Sequence, residues 1–210
     1  MVVGKTAESH RRVDLYENPY IELTLGDMLK VRGLAAFFIG RSSNMVMPVH
    51  LFLKDDQGRD LRGSCTVQNR EGSIEVLALA HCFSVPIDPL TGKVTGTRMH
   101  TPVTVEKEID ASSPLLHQML RDSRTLESAD LVFYRINHAG QEEAYYTMRL
   151  ESVKLGSIMA LMPNLKNKEC ALLNHMESVE MYYDSISWHY HDGNLKVSDA
   201  LSAVREHSRS

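Results

Sequence analysis

The 210-residue chain lacks any run of about 18 apolar residues, so no helix of it is expected to span a bilayer. Its longest apolar stretch, Leu34 to Gly40, has no small-residue cleavage site after it, and a secretory signal is not expected either. Basic residues are in deficit. The 23 Lys and Arg stand against 27 Asp and Glu, which gives a formal charge of −4 with the ten His neutral. A protein that grips a phosphate backbone needs a basic stripe, so nucleic acid is not an expected partner. Cysteine is scarce as well. Cys65, Cys82 and Cys170 are widely spaced and odd in number, so they cannot complete a disulfide framework. They fit folding in a reducing compartment, where all three are expected to stay reduced. With 43% apolar and 24% charged residues, what remains is the composition of an ordinary globular chain.

Residues 1–46 read differently from the rest. Met1 to Tyr16 is polar and aperiodic, and Gly26 and Gly33 interrupt any helix over Ile21 to Ile39. The segment is read as an N-terminal extension, non-native or arising from a mis-assigned start; a genuine arm packed on the domain is the rival reading. From Met47 the pattern is strand and turn. Val49, Leu51 and Leu53 alternate with His50 and Phe52, and Asp55-Asp56-Gln57-Gly58 has turn chemistry. Ile74 to Val85 is a long run of strand formers with weak alternation, as in a strand covered on both faces. Pro86, Pro89, Gly92 and Gly96 punctuate a loop long enough to suspect a function.

Met99 to Ile109 alternates again. A helix follows, with Ser113 as cap, Pro114 at its first position and Leu115, Leu116, Met119 and Leu120 as an apolar stripe. Ala129–Asn137 and Glu142–Val153 form a hairpin around His138-Ala139-Gly140. A further strand is expected at Gly156–Leu161, an exposed loop at Asn164–Asn174, and a last long strand at Met176–Tyr190. The class is mainly β with one helix, a barrel or a sandwich.

Catalytic patterns are weak. His189 and His191 fall on one side of a strand with Asp192 beside them, a set that could hold zinc or iron for a metal-dependent hydrolase or serve a β-barrel binding module. A third ligand is not evident, and paired exposed histidines at a strand end are commonplace. Asp55, Asp56 and Asp60 lack the order of a calcium loop, and Gly92-Lys93-Val94-Thr95-Gly96 lacks the spacing of a phosphate loop. Ser64 has no nucleophile elbow around it. Cys82 is read as a small core residue, and Glu106, Glu108 and Asp110 as a solvated group. No catalytic, cofactor or metal site is expected.

Residues 47–193 resemble the Hcp family, the tube protein of the bacterial type VI secretion system. The resemblance is carried by Met47-Pro48-Val49-His50-Leu51-Phe52-Leu53, by Asn69-Arg70-Glu71-Gly72-Ser73-Ile74-Glu75-Val76, and by Thr97-Arg98-Met99-His100-Thr101-Pro102. It continues through Lys107-Glu108-Ile109-Asp110 and Ser112-Ser113-Pro114-Leu115-Leu116, Phe133-Tyr134-Arg135, and the strand ending Ser185-Ile186-Ser187-Trp188. The Lys-x-x-Asp followed by Ser-Pro-x-Leu is its most specific part. Two departures stand out: residues 1–46 have no counterpart, and Leu201 stands where related chains carry Trp, so 194–210 is treated as a divergent tail with no family role.

The resemblance implies a flattened β-barrel of two sheets with one flanking α-helix. It implies a homohexameric ring that stacks into a tube, is driven outward by a contractile sheath from a baseplate behind a spike protein, and houses effector cargo in its lumen. No enzyme activity, cofactor or membrane insertion is implied; folding in the cytoplasm and export through the apparatus are. Pro86, Ile87, Asp88, Pro89, Leu90, Thr91, Gly92 and Lys93 are the expected arm to a neighbouring subunit or ring. Ile74–Val85 and Met176–Tyr190 are expected to offer strand edges to partners.

Overall fold

The computed structural model describes residues 47–162, 164, 166 and 174–201. The readings made for 1–46, for most of the 164–174 loop including Cys170, and for the tail beyond Leu201 lie outside the described residues.

Period-two alternation gives β1 (Val49–Lys54), where Leu51 and Leu53 are buried. After the Asp55 turn come β2 (Asp60–Leu61), β3 (Ile74–Ala80), β4 (Phe83–Ser84), β5 (Met99–His100) and β6 (Val103–Glu108). The helix α1 (Ser113–Arg121) leads into β7 (Thr125–Ile136), β8 (Glu142–Leu161), β9 (Met176–Tyr182) and β10 (Ser185–Tyr190). A short 3₁₀ turn at Asp192–Asn194 then opens β11 (Leu195–Ala200).

All pairings are antiparallel. The main sheet runs β11-β10-β8-β7-β1-β3-β6-β9, and β8 also pairs β9, which closes β8, β7, β1, β3, β6 and β9 into a barrel. Closure comes from the length of β8. Its first part, Tyr146–Glu151, faces β10, and its second part, Lys154–Leu161, pairs β9. Within the second part the ladder slips at Gly156, where a Cβ would lie 2.4 Å from a ring carbon of Tyr182. A side chain there would have to displace the Tyr182 ring, and the strand continues through the shift in register. The strand expected separately at Gly156–Leu161 is therefore the far half of β8.

The interior is apolar: Leu51, Ile74, Val103, Val105, Leu131, Leu150 and Met181 are all essentially inaccessible, and Leu116 and Met119 of α1 join them. Each such side chain contributes about 1.5–3 kcal/mol. Among the described residues the mainly β architecture with one α-helix holds, together with a small second sheet of β4 and β5.

Several local expectations are corrected. The run Ile74–Val85 is two strands in two sheets, separated at His81-Cys82, and only one face of β3 is buried. Its alternation is weak because the ladder shifts register between Val76 and Ala78. Cys82 is exposed, since the chain turns outward past Ala80; it and Cys65 are free thiols. Met176–Tyr190 likewise divides at Tyr183-Asp184 and is not the last strand. In the main sheet β3, β9 and β10 each have neighbours on both sides and β11 ends the order, while β4, the far end of the Ile74–Val85 run, pairs with β5 alone. In α1 the N-cap is Ser112, with no side-chain cap bond, Pro114 lies within the first turn, and Leu115 is exposed while Leu116 and Met119 are buried.

Candidate functional site

Phe83↔His100 and Ser84↔Met99 pair as the root of a hairpin whose outer part is the segment Pro86–Gly96. What reads as a loop is thus an ordered arm. Ile87 and Val94 bridge across it, the Asp88 amide donates to the Lys93 carbonyl at 2.9 Å, and the Thr95 amide donates to that of Pro86 at 2.9 Å. Its tip is held by Asp88, whose carboxylate accepts from the Leu90 amide at 2.9 Å and the Thr91 hydroxyl at 2.8 Å. Those bonds, the Leu90 amide first, keep the Asp88 carboxyl below its ordinary pKa. Gly92 closes the tip with a φ of +68°, a conformation that a side chain resists.

The arm presents apolar surface to solvent. Leu90 is 94% exposed, and Ile87 and Val94 are more exposed than not. Ordered by its own hydrogen bonds, the hairpin still leaves these apolar side chains in solvent, the kind of exposed patch that commonly marks an interaction surface. Pro86, Ile87, Asp88, Pro89, Leu90, Thr91, Gly92 and Lys93 thus sit together on one projecting element.

The helix motif has a different part. Lys107 follows Val103 and Val105 on the inward face of β6, and its side chain is 1% exposed. Its ammonium donates to Glu177 Oε1 on β9 at 2.7 Å, to Asp110 Oδ1 at 2.8 Å, to the Glu108 carbonyl at 2.8 Å and to Ser113 Oγ at 3.2 Å. The Ser113 hydroxyl donates to the same Glu177 oxygen at 2.7 Å and accepts from the Asp110 amide at 3.0 Å. Burial raises the Asp110 carboxyl, but bonds from Lys107 and Ser112 outweigh it, and its pKa is below the usual value. Ser113 is therefore no simple cap, and Asp110 is not a freely solvated carboxylate. The Lys-x-x-Asp and Ser-Pro-x-Leu pieces are one buried bolt that fixes α1 to the barrel, with Pro114 starting the helix and Leu116 packing beneath it.

A second buried polar knot went unread in the sequence. His50 Nε2 lies 3.0 Å from Arg70 Nη1, which can only donate, so the neutral ring carries its proton on Nδ1 and donates to Ser73 Oγ at 2.8 Å. The serine is the acceptor in that pair, the reverse of an activated nucleophile. Burial first, and the Arg70 charge second, hold the His50 pKa down to about 4. Arg70 also stacks 4.3 Å from the Tyr134 ring centre and pairs with Glu142.

His189, His191 and Asp192 do not converge. The imidazoles stack at 4.6 Å, but His189 Nε2 meets Asn194 Oδ1 at 2.8 Å, His191 Nε2 meets Thr147 Oγ1 at 2.9 Å, and Asp192 is bound to Arg135 at 2.5 Å. Among the described residues no group of three or more His, Cys, Asp or Glu is arranged to hold a metal.

At the arm's root His81, His100, Tyr183, Asp199 and Arg98 pack around Trp188, and of these Arg98, His100 and Trp188 lay in the segments that carry the family resemblance. The clue was slight, histidines flanking the Pro-Gly segment on both sides.

Comparison with known proteins agrees with this architecture. Residues 52–190 match the family described as "Type VI secretion system effector, Hcp". The "Major exported protein" of Pseudomonas aeruginosa is 32% identical over 140 residues, covering 67% of this chain and 81% of the relative. A double mutant of the Hcp1 protein from E. coli EAEC 042 is 48% identical, covers 74% of this chain and 99% of its own, and superposes with a TM-score of 0.66. Secreted protein Hcp3 from Pseudomonas aeruginosa, at 23% identity over 73% of this chain and 97% of its own, shares the fold with a TM-score of 0.58. On the strength of the family match and the exported relative, the chain belongs to the Hcp family of the type VI secretion system.

Proposed function

We propose that this chain is a structural tube subunit: six copies close into a ring, rings stack into the inner tube, and the tube is injected with effector cargo carried or chaperoned in its lumen. The observation that carries this reading is the arm Pro86–Lys93, ordered by its own hydrogen bonds yet exposing Ile87, Leu90 and Val94. A closed ring and a stack both use heterologous contacts, in which a projection on one copy meets a different face on the next. The bolted helix keeps the barrel rigid while the arm reaches out.

Sheath, spike and baseplate are the partners such a tube requires, and its folding place is the cytoplasm, before export. The role asked of the chain is mechanical, not enzymatic. A metal-dependent hydrolase built on His189, His191 and Asp192 is disfavoured because each of the three already has another partner.

Light scattering with electron microscopy tests the proposal. A mass near six chains and ring-shaped particles are expected; a monomer or dimer carrying stoichiometric metal would favour the hydrolase.

A further inference from the structure

The arm is attached to the barrel through a chain of hydrogen bonds that runs between four elements. Asp199 on β11 accepts from Arg98 Nε at 2.6 Å and Nη2 at 2.6 Å, and it lies 2.9 Å from His100 Nε2 on β5. His100 Nδ1 lies 2.9 Å from the Tyr183 hydroxyl at the β9–β10 corner, and that hydroxyl is 2.6 Å from His81 Nε2 just past β3. The His100 side chain is 2% exposed and Tyr183 4%.

Donor and acceptor roles follow from the one fixed member. Ionised Asp199 can only accept, so His100 Nε2 carries a hydrogen. With His100 neutral, its Nδ1 is bare and accepts from the tyrosine, and the tyrosine oxygen accepts from His81 Nε2–H. Add one proton at His100 Nδ1 and both tyrosine bonds reverse: His100 donates to the tyrosine, and the tyrosine donates to His81 Nε2, once His81 has given up its Nε2 proton to water and taken one on Nδ1 in its place. No bond is lost, and the new charge rests against Asp199. With both rings charged, the tyrosine hydroxyl would face a donor on each side and donate to neither.

We propose that His81, Tyr183, His100 and Asp199 form a proton-binding clasp at the arm's root, which accepts one proton by reversing its bonds and opens on a second. Two observations support this independently of the bond lengths. His81 and His100 ring centres are 6.1 Å apart, and Asp199, the carboxylate that meets His100, is already paired with Arg98. Burial first, and the charge on His100 second, hold His81 below the ordinary histidine pKa, while burial raises Tyr183 so that the phenol stays protonated throughout. Opening would lift β4 and β5 from Trp188, since Phe83 lies 5.9 Å and His100 6.5 Å from that indole.

Trp188 is the single tryptophan of the chain and so reports on the clasp directly. In an acid titration of the full chain, the first protonation should quench its emission without moving it, and the second should shift it to the red. H81Q removes the second proton acceptor and should abolish the red shift. Y183F removes the hydroxyl that relays the reversal and should bring the red shift forward to the first protonation. Far-UV dichroism at each pH keeps barrel unfolding apart from arm opening. A wild-type red shift that accompanies the first proton, or one left in place by both substitutions, would overturn the clasp.

The consequence for assembly rests on the proposed stacking function: tubes should part into rings at the pH of the red shift. Tubes that persist through a red shift would count against the arm as the stacking element, not against the clasp.

Discussion

The barrel and the arm place their apolar residues in opposite ways. In the barrel, β3, β6 and β9 have both edges paired and Val103, Val105 and Met181 are wholly buried. In the arm, a single bridge joins two short stretches and Leu90 stands almost entirely in solvent. The difference separates two tasks within one chain. The barrel buries its apolar residues against one another, and the arm, ordered by backbone and Asp88 bonds, leaves apolar surface in solvent, which the proposed stacking would cover with another copy. Substitutions should therefore act on folding in one region and on assembly in the other.

The largest effect on folding is expected at the bolt. Lys107→Met leaves Glu177 buried without its cation, and loss of one partner of such a pair costs about 3–5 kcal/mol. Urea unfolding should show that drop; a change under about 1 kcal/mol would mean the helix is not fixed by this pair.

His50 tests the second knot through pH. Its folded pKa near 4 lies below the ordinary histidine value of 6.5, so the unfolded chain binds the proton first. Stability is then unaffected above pH 6.5, falls as the pH drops from 6.5 toward 4, and levels off below; the full fall is about 3 kcal/mol. His50→Gln should flatten that slope. A wild-type stability that is constant from pH 7 to pH 4.5 would remove His50 from the core account.

Smaller still is the cost of a side chain at the arm's tip. Gly92 has open space around its Cβ position but a positive φ, so Gly92→Ala should loosen the arm by about 1 kcal/mol through backbone strain alone. Faster amide exchange confined to the arm is the expected readout; exchange spreading into β3 or β6 would join the two regions that are held distinct here. At the low end, Leu90→Ser should change global stability by under about 0.5 kcal/mol, since the side chain touches nothing it could destabilise. Its effect should appear in stacking instead, read by sedimentation.

Much of the barrel was legible from alternation. β1 and β6 showed in their alternation, although Met99–Ile109 divides into β5 and β6 in two sheets, and the β7–β8 hairpin showed in its spacing and turn residues. The strand ends at His81-Cys82 and Tyr183-Asp184 were not legible, because aromatic and apolar residues continue through both corners. Tyr183 stays buried at its corner by bonding to two histidines, a reason that spacing cannot carry. Gly156 misled in the other direction: a new strand is expected to begin there, where the structure shows only a shift in register within β8.

The arm was found as a Pro-Gly segment, but its order was not, since Asp88 reads as an ordinary turn residue until its bonds are seen. Lys107 left a trace, a charge in phase with Val103 and Val105. Its partner Glu177 lies 70 positions away, beyond any local pattern.

The most direct measurement replaces Asp88–Lys93 by an Asn-Gly turn between Ile87 and Val94, which shortens the arm and removes Leu90 while keeping a hairpin. Sedimentation and electron microscopy of the shortened and unaltered chains then separate folding from assembly. The account predicts an unchanged unfolding midpoint and intact rings that no longer stack into tubes. Tubes forming as before would contradict it.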